Sequence, residues 1–120
     1  DCGFSSPAAI IGKVFRDILH FSPGIILWSA DLWARLLAGV SLYSKDSCKS
    51  LGATNLPVFL IHGKADDFVP WEMTQQAYDA CKSDKEILLV ESAGHGLSFL
   101  EDKDLYVQMI QDFLDRNLHL

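Results

Sequence analysis

Two stretches of this sequence carry side chains whose types and spacing could do chemistry together. The first is His62-Gly63-Lys64-Ala65-Asp66-Asp67-Phe68-Val69-Pro70, with adjacent carboxylates at Asp66 and Asp67. The second is Gly94-His95-Gly96, an imidazole between two glycines, 29 residues after Asp66. A carboxylate that holds an imidazole fixes its tautomer and stabilises the imidazolium formed when the ring takes a proton from a nucleophile. Flanking glycines allow tight or left-handed backbone and so can present the ring at a loop tip. On spacing alone, either carboxylate could be the partner, and either could equally be a turn or capping residue.

The elements around these residues must bring them together. Val58-Phe59-Leu60-Ile61-His62 is a continuous apolar run closed by a histidine, and it reads as a strand buried on both faces. Pro57 ahead of it suits a strand's first position. A helix is expected from Pro70 to about Lys82, with Met73, Ala77, Tyr78 and Cys81 on one face, and Glu86 to Glu91 reads as a second short strand. Strand, helix, strand makes a βαβ unit, whose strands are parallel. Parallel strands end at one edge of the sheet, where open α/β sheets place their chemistry. The acid after the first strand and the imidazole after the second therefore meet at that edge.

Upstream, Ser5-Ser6-Pro7 is a helix-start signal, and Ile10, Ile11, Val14, Phe15, Ile18 and Leu19 recur at helical spacing, so a helix is expected over 7–20. Phe21-Ser22-Pro23-Gly24 ends it. Residues 25–40 form a second helix, with Ile25, Ile26, Leu27, Trp28, Leu32, Trp33, Leu36 and Leu37. Its apolar surface is wider than one stripe, so it should be buried on more than one side or cover something apolar. Residues 41–56 are a polar connector with room for one helical turn. A last helix is expected over 101–117, burying Leu105, Met109, Ile110, Phe113 and Leu114.

The 120 residues, 49% hydrophobic and 22% charged, describe one modest globular domain. A net charge of −6 argues against a nucleic-acid partner, which calls for a basic face. No run of about 18 apolar residues suggests a membrane span; Asp31 and Arg35 interrupt the nearest. Cys2, Cys48 and Cys81 are an odd, scattered set, which favours free thiols and a reducing, cytoplasm-like compartment. Neither they nor His20, His62, His95 and His119 have metal-ligand spacing. His62, at a strand end, reads as a structural hydrogen-bonding residue, and Gly63 as the sharp turn after it. Cys2 lacks the setting of a nucleophile and reads as a small hydrophobe. Ser98 is too close to His95 to attack beside it.

Taken together, the H-G-x-x-D-x-x-V-P pattern at His62–Pro70 and Gly94-His95-Gly96 resemble the carboxyl-terminal half of an α/β-hydrolase, of the kind found in bacterial prolyl-oligopeptidase-like and acyl hydrolases. The order, acid before histidine, agrees. Asp1-Cys2-Gly3-Phe4-Ser5-Ser6-Pro7 is similar to the segment after an earlier core strand. The resemblance implies a partial α/β-hydrolase fold: the last two core strands with flanking helices over 57–120, and a helical cap-like insertion and connector over 7–56. It implies Asp66 as the acid, His95 as the base, no cofactor and no metal. The substrate class it implies is an ester, thioester or amide with an acyl group, and Trp28, Trp33 and Phe68 become candidates for the substrate pocket. Such enzymes carry their serine in a G-x-S-x-G elbow, which does not occur in these residues. The expectation is therefore a portion of a longer protein, inactive alone, with its nucleophile upstream. The competing expectation is a non-enzymatic binding or oligomerisation module that pairs with another copy through an exposed sheet edge.

Overall fold

A computed structural model describes residues 1–20, 22–44 and 46–118. Its elements run α1 (Pro7–Leu19), α2 (Gly24–Ala38), α3 (Ser47–Ala53), β1 (Val58–Gly63), α4 (Trp71–Ala80), β2 (Lys85–Val90), α5 (Ser98–Glu101) and α6 (Lys103–Leu118). The expected turn at Phe21 and the connector at Lys45 fall partly, and His119 wholly, outside the described residues.

The expected βαβ unit is present. β1 and β2 pair in parallel, Val58 opposite Lys85 and Gly63 opposite Val90, so both strands end level with each other. One sheet face packs on α6 through Ile61, Leu88, Val90 and Ala93 against Phe59, Tyr106, Met109 and Ile110. Phe59 and Phe113 stack with centroids 5.4 Å apart. The stripe on α6 is rotated from the one expected: Tyr106 joins the core, while Leu105 and Leu114 are exposed. A short α5 precedes α6, because the backbone breaks at Asp102. α4 buries Thr74 and Ala77, with Cys81 behind them. A threonine, not Met73 or Tyr78, thus holds the deepest place on its inner face.

Local chemistry sets the helix boundaries. The Ser6 hydroxyl accepts the Ala9 N–H at 3.2 Å, and Pro7 occupies the first turn of α1. α2 stops at Gly39, whose left-handed φ of 67° favours glycine. Asp46 caps α3 by accepting from the Cys48 and Lys49 N–H groups, giving the connector more helix than one turn. Within the described residues, no helix is long and apolar enough to cross a membrane.

α2 departs from expectation. Only Leu27 and Asp31 are buried along it, whereas Ile25 is 85% and Leu37 81% exposed. The apolar breadth of its sequence is real, but within this chain one narrow face meets α1, where Leu27 lies against Gly12. At its far end the buried Asp31 accepts from Arg35 Nε at 2.8 Å, and from Ser41 Oγ and the Leu42 N–H at 2.7 Å each. The Ser41 hydroxyl leads these interactions in holding the Asp31 carboxyl below its ordinary range, against the opposing effect of desolvation.

Candidate active site

The loops that follow β1 and β2 are joined by backbone. The Lys64 N–H donates to the Val90 carbonyl at 2.8 Å and the Ala65 N–H to the Ala93 carbonyl at 3.1 Å. Gly63 makes this possible for a reason other than a turn. A Cβ there would lie 2.1 Å from the Ala93 carbonyl oxygen, so no larger residue fits between the loops. On the other side, Gly96 has φ of 70°, whereas Gly94 has no left-handed geometry. Of the two glycines around the histidine, only the second is required by backbone conformation.

This junction brings together the acid and the imidazole separated by 29 residues in sequence. His95 Nδ1 lies 2.8 Å from Asp66 Oδ2. The Asp66 side chain is fully buried, while the His95 side chain is 48% exposed. The other carboxylate oxygen, Oδ1, accepts the Phe68 N–H at 2.9 Å and the Val69 N–H at 2.8 Å. Burial alone would raise the Asp66 carboxyl. The Val69 N–H, the His95 ring and the Phe68 N–H outweigh it, so the group stays ionised below the usual carboxylate range. A carboxylate facing Nδ1 makes that nitrogen the proton carrier and leaves Nε2 with the lone pair a general base needs. Asp67 is exposed and makes no such contact; its backbone carbonyl accepts from Lys13 Nζ at 2.9 Å.

His62 is fully buried, in keeping with the structural role its place at a strand end suggests, yet it also touches the acid. Its Nε2 lies 2.9 Å from the Val69 carbonyl and 3.1 Å from Asp66 Oδ2, and its Nδ1 lies 2.5 Å from Thr74 Oγ1. The position of a histidine at a strand end is visible in the sequence; its reach back across the loop is not.

A groove of about 380 Å³ opens beside His95, within the size range of small-molecule sites. Its walls are Phe4, Ile10, Ile11, Val14, Phe15 and Phe68, with Cys2 and Val69 at the same end as the histidine. Phe68 meets the His95 ring edge-on, centroids 5.2 Å apart. Of the candidate pocket residues, Phe68 is therefore at the site. Trp28 and Trp33 are not among the lining residues and stand 64% and 59% exposed on α2. The wall comes from α1 instead, whose apolar periodicity reads equally well as core. A larger cavity, about 560 Å³, lies between the amino-terminal segment, α3 and α4, and touches neither Asp66 nor His95.

Among the described residues, one group brings donor atoms close enough for a metal ion: Cys2, His62 and Asp66, within 4.8 Å of one another. Their separation in the chain hides this from a reading of spacing. The hydrogen bonds disfavour a cation there, because the Val69 carbonyl only accepts and thus requires a proton on His62 Nε2. A protonated nitrogen has no lone pair to give. All three cysteines are free thiols, and burial leads in pushing the Cys48 thiol up, with Asp46 adding to it.

Comparison with known proteins gives a consistent result. A family described as serine aminopeptidase, S33, matches residues 26–103. Protein YqkD of Bacillus subtilis is 27% identical over 115 residues, covering 96% of this chain and 38% of that protein. The AB hydrolase superfamily protein YisY of the same organism is 26% identical over 111 residues, 88% of this chain and 40% of its own length. The human mitochondrial palmitoyl-protein thioesterase ABHD10 is 35% identical over 63 residues, 52% of this chain and 21% of that one. The chain thus spans about two fifths of the length of the Bacillus relatives. An esterase from Exiguobacterium antarcticum superposes on 62% of this chain and 27% of its own, with a TM-score of 0.51 and 20% identity. An α/β hydrolase from a lagoon-sediment metagenome covers 71% of this chain and 38% of its own, with a TM-score of 0.54 and 20% identity. At that identity these two structures speak for the fold.

Proposed function

This chain belongs to the serine aminopeptidase S33 family of the α/β-hydrolase superfamily, and from that premise we propose that it carries the acid and base of a serine acyl-transfer site. The observation that carries the reading is the 2.8 Å contact between buried Asp66 Oδ2 and His95 Nδ1 at the carboxyl edge of the sheet. The nucleophile is a serine outside these 120 residues.

The proposed steps are those that an imidazole oriented by a carboxylate supports. His95 Nε2 takes the serine hydroxyl proton as the oxygen attacks the acyl carbon, and Asp66 stabilises the imidazolium without itself becoming protonated. The tetrahedral intermediate collapses, the bond to the leaving oxygen, sulfur or nitrogen breaks, and His95 returns the proton to that atom. A water molecule, deprotonated by His95, then attacks the acyl-serine, releasing a carboxylic acid and restoring the serine. The substrate is an ester, thioester or amide, and the walls contributed by α1 and Phe68 favour an apolar acyl group.

The test is a fluorophosphonate label with a model ester assay. The 120-residue chain alone should neither label nor turn over. With the serine-bearing part of the protein supplied, labelling and turnover should appear. Asp66→Asn should lower kcat on the order of 10⁴-fold, as expected when an imidazole loses its orienting carboxylate. His95→Ala should be at least as damaging, and Asp67→Asn should change kcat less than about twofold. Inactivation by Asp67→Asn with an active Asp66→Asn would overturn the assignment.

A second reading, a non-enzymatic binding or oligomerisation module, is favoured by the uncovered apolar surface of α2. The same label and assay decide between the two: an assembled protein that binds partners but never labels supports the module.

A further inference from the structure

We propose that His62 is a positioning residue for the Asp66–His95 pair, setting the direction and basicity of the carboxylate from beneath. The inference rests on the acid–base reading above and adds a residue to it. Three observations carry it.

First, the Asp66–Val69 loop is closed on itself only in part. Oδ1 of Asp66 accepts the Phe68 and Val69 N–H groups, and the Asp66 N–H donates to the Gly63 carbonyl at 3.2 Å, so the backbone holds the start of the loop but leaves the Oδ2 side and the Val69 carbonyl to another partner. His62, near the end of β1, is that partner. Its Nε2–H is shared between the Val69 carbonyl at 2.9 Å and Asp66 Oδ2 at 3.1 Å, the last residue of the loop and the first.

Second, the partners of Nε2 require a proton on it. A carbonyl and an ionised carboxylate only accept, so Nε2 must donate. Asp66 Oδ2 therefore receives from two imidazoles, His62 beneath and His95 above.

Third, the ring cannot turn away. It is fully buried, and its Nδ1 meets Thr74 Oγ1 at 2.5 Å, while that hydroxyl also reaches the Gly3 carbonyl at 3.1 Å. Strand β1, helix α4 and the amino-terminal segment thus grip one imidazole. The other groups facing this carboxylate are the Cys2 thiol, close to both His62 and Asp66, and the exposed neighbour Asp67; Lys13 reaches the Asp67 carbonyl.

An N–H aimed at an ionised oxygen stabilises the charged form. Removing it should make Asp66 easier to protonate and free to shift. Two variants of similar polarity separate this from a packing role. In His62→Gln the amide nitrogen can replace Nε2 as donor to Asp66; in His62→Asn the shorter amide stands in for Nδ1 and leaves Asp66 unserved. The reporter is the Asp66 carboxyl carbon, followed by NMR against pH in the 120-residue chain. His62→Asn should raise its titration midpoint by roughly one pH unit, and His62→Gln should leave it within about 0.3 unit of the parent. Equal midpoints in the parent and a folded His62→Asn overturn the proposal.

A measurement on the unaltered chain guards against variants that fail to fold. Long-range proton–nitrogen spectra should show His62 Nε2 protonated at neutral pH, and an unprotonated Nε2 overturns the proposal without any substitution. In the turnover assay, His62→Asn should lower kcat about tenfold at nearly constant KM, and His62→Gln should retain activity within about threefold. Failure of the acid–base reading itself is revealed separately, by the activity of His95→Ala.

Discussion

The region from β1 to α6 holds most of the buried apolar side chains, yet the region from α1 to α2 is the more apolar in sequence. In the first, two short strands run parallel, their following loops exchange backbone hydrogen bonds, and α6 and α4 cover the two faces. In the second, two helices touch along a narrow line, and most large side chains of α2 face outward. The lesson is that hydrophobic side chains stabilise by what they meet. Leu88 is buried against the α6 side of the sheet; Leu37, of identical chemistry, stands in the open. The candidate site lies where the two regions touch, with Asp66 and His95 held by the first and the groove walled in part by the second.

Substitutions can sharpen or break this contrast. The largest effect is expected at Gly63. A methyl group there collides with the Ala93 carbonyl, so Gly63→Ala should force the loops apart and cost about 3 kcal/mol or more. Urea denaturation would show it, and the Asp66–His95 hydrogen bond should be broken even in molecules that remain folded. Next is Leu88→Ala, where a buried side chain leaves a cavity that costs about 2–5 kcal/mol. Leu37→Ala is its matched control, expected to change stability by no more than about 0.5 kcal/mol. Equal destabilisation at both leucines would dissolve the distinction between the two regions.

Acid should act on the first region through Asp66. Its carboxyl is held below the ordinary value in the folded chain. The stabilisation is therefore fully present above the unfolded value, about 3.9, and is lost as pH falls through the lower folded value. Asp66→Asn should flatten that part of the curve of urea midpoint against pH. A parent and variant with parallel curves would remove Asp66 as a source of stability. The smallest effect is local. Asp31→Asn gives up acceptor strength toward Ser41, Arg35 and the Leu42 N–H, so the Leu42 amide should exchange its hydrogen faster while the core amides of β1 and β2 are unchanged.

Much of the first region is legible in the chain itself. Unbroken apolar runs at Val58–Ile61 and Ile87–Val90, separated by one helix length, imply parallel strands and a common carboxyl edge. Asp66 and His95 follow from that geometry and from the motifs that carry them. The α6 stripe differs from the expected one by a neighbour, because periodicity gives the spacing of a face but not its rotation. Gly63 reads as a turn residue, although its need is the approach of Ala93, from the loop after the other strand. Trp28 and Trp33 are attractive as pocket residues because aromatic groups suit apolar ligands, but the groove is lined from α1.

The sequence by itself determined the main helices and strands, the parallel arrangement of the strands, and which side chains could form an acid–base pair. Those are local or topological properties, carried by periodicity, caps and the handedness of the crossover. Only the tertiary structure decided how the buried Asp66 carboxylate is held, which helix walls the groove, and that His62 shares the oxygen used by His95. Such choices depend on directions of single bonds across packed loops, where a shift of one residue exchanges a buried oxygen for a solvated one. Asp66 and Asp67 differ in the sequence by one position; in the fold they differ by the donors of His62, Phe68, Val69 and His95 on a fully buried carboxylate.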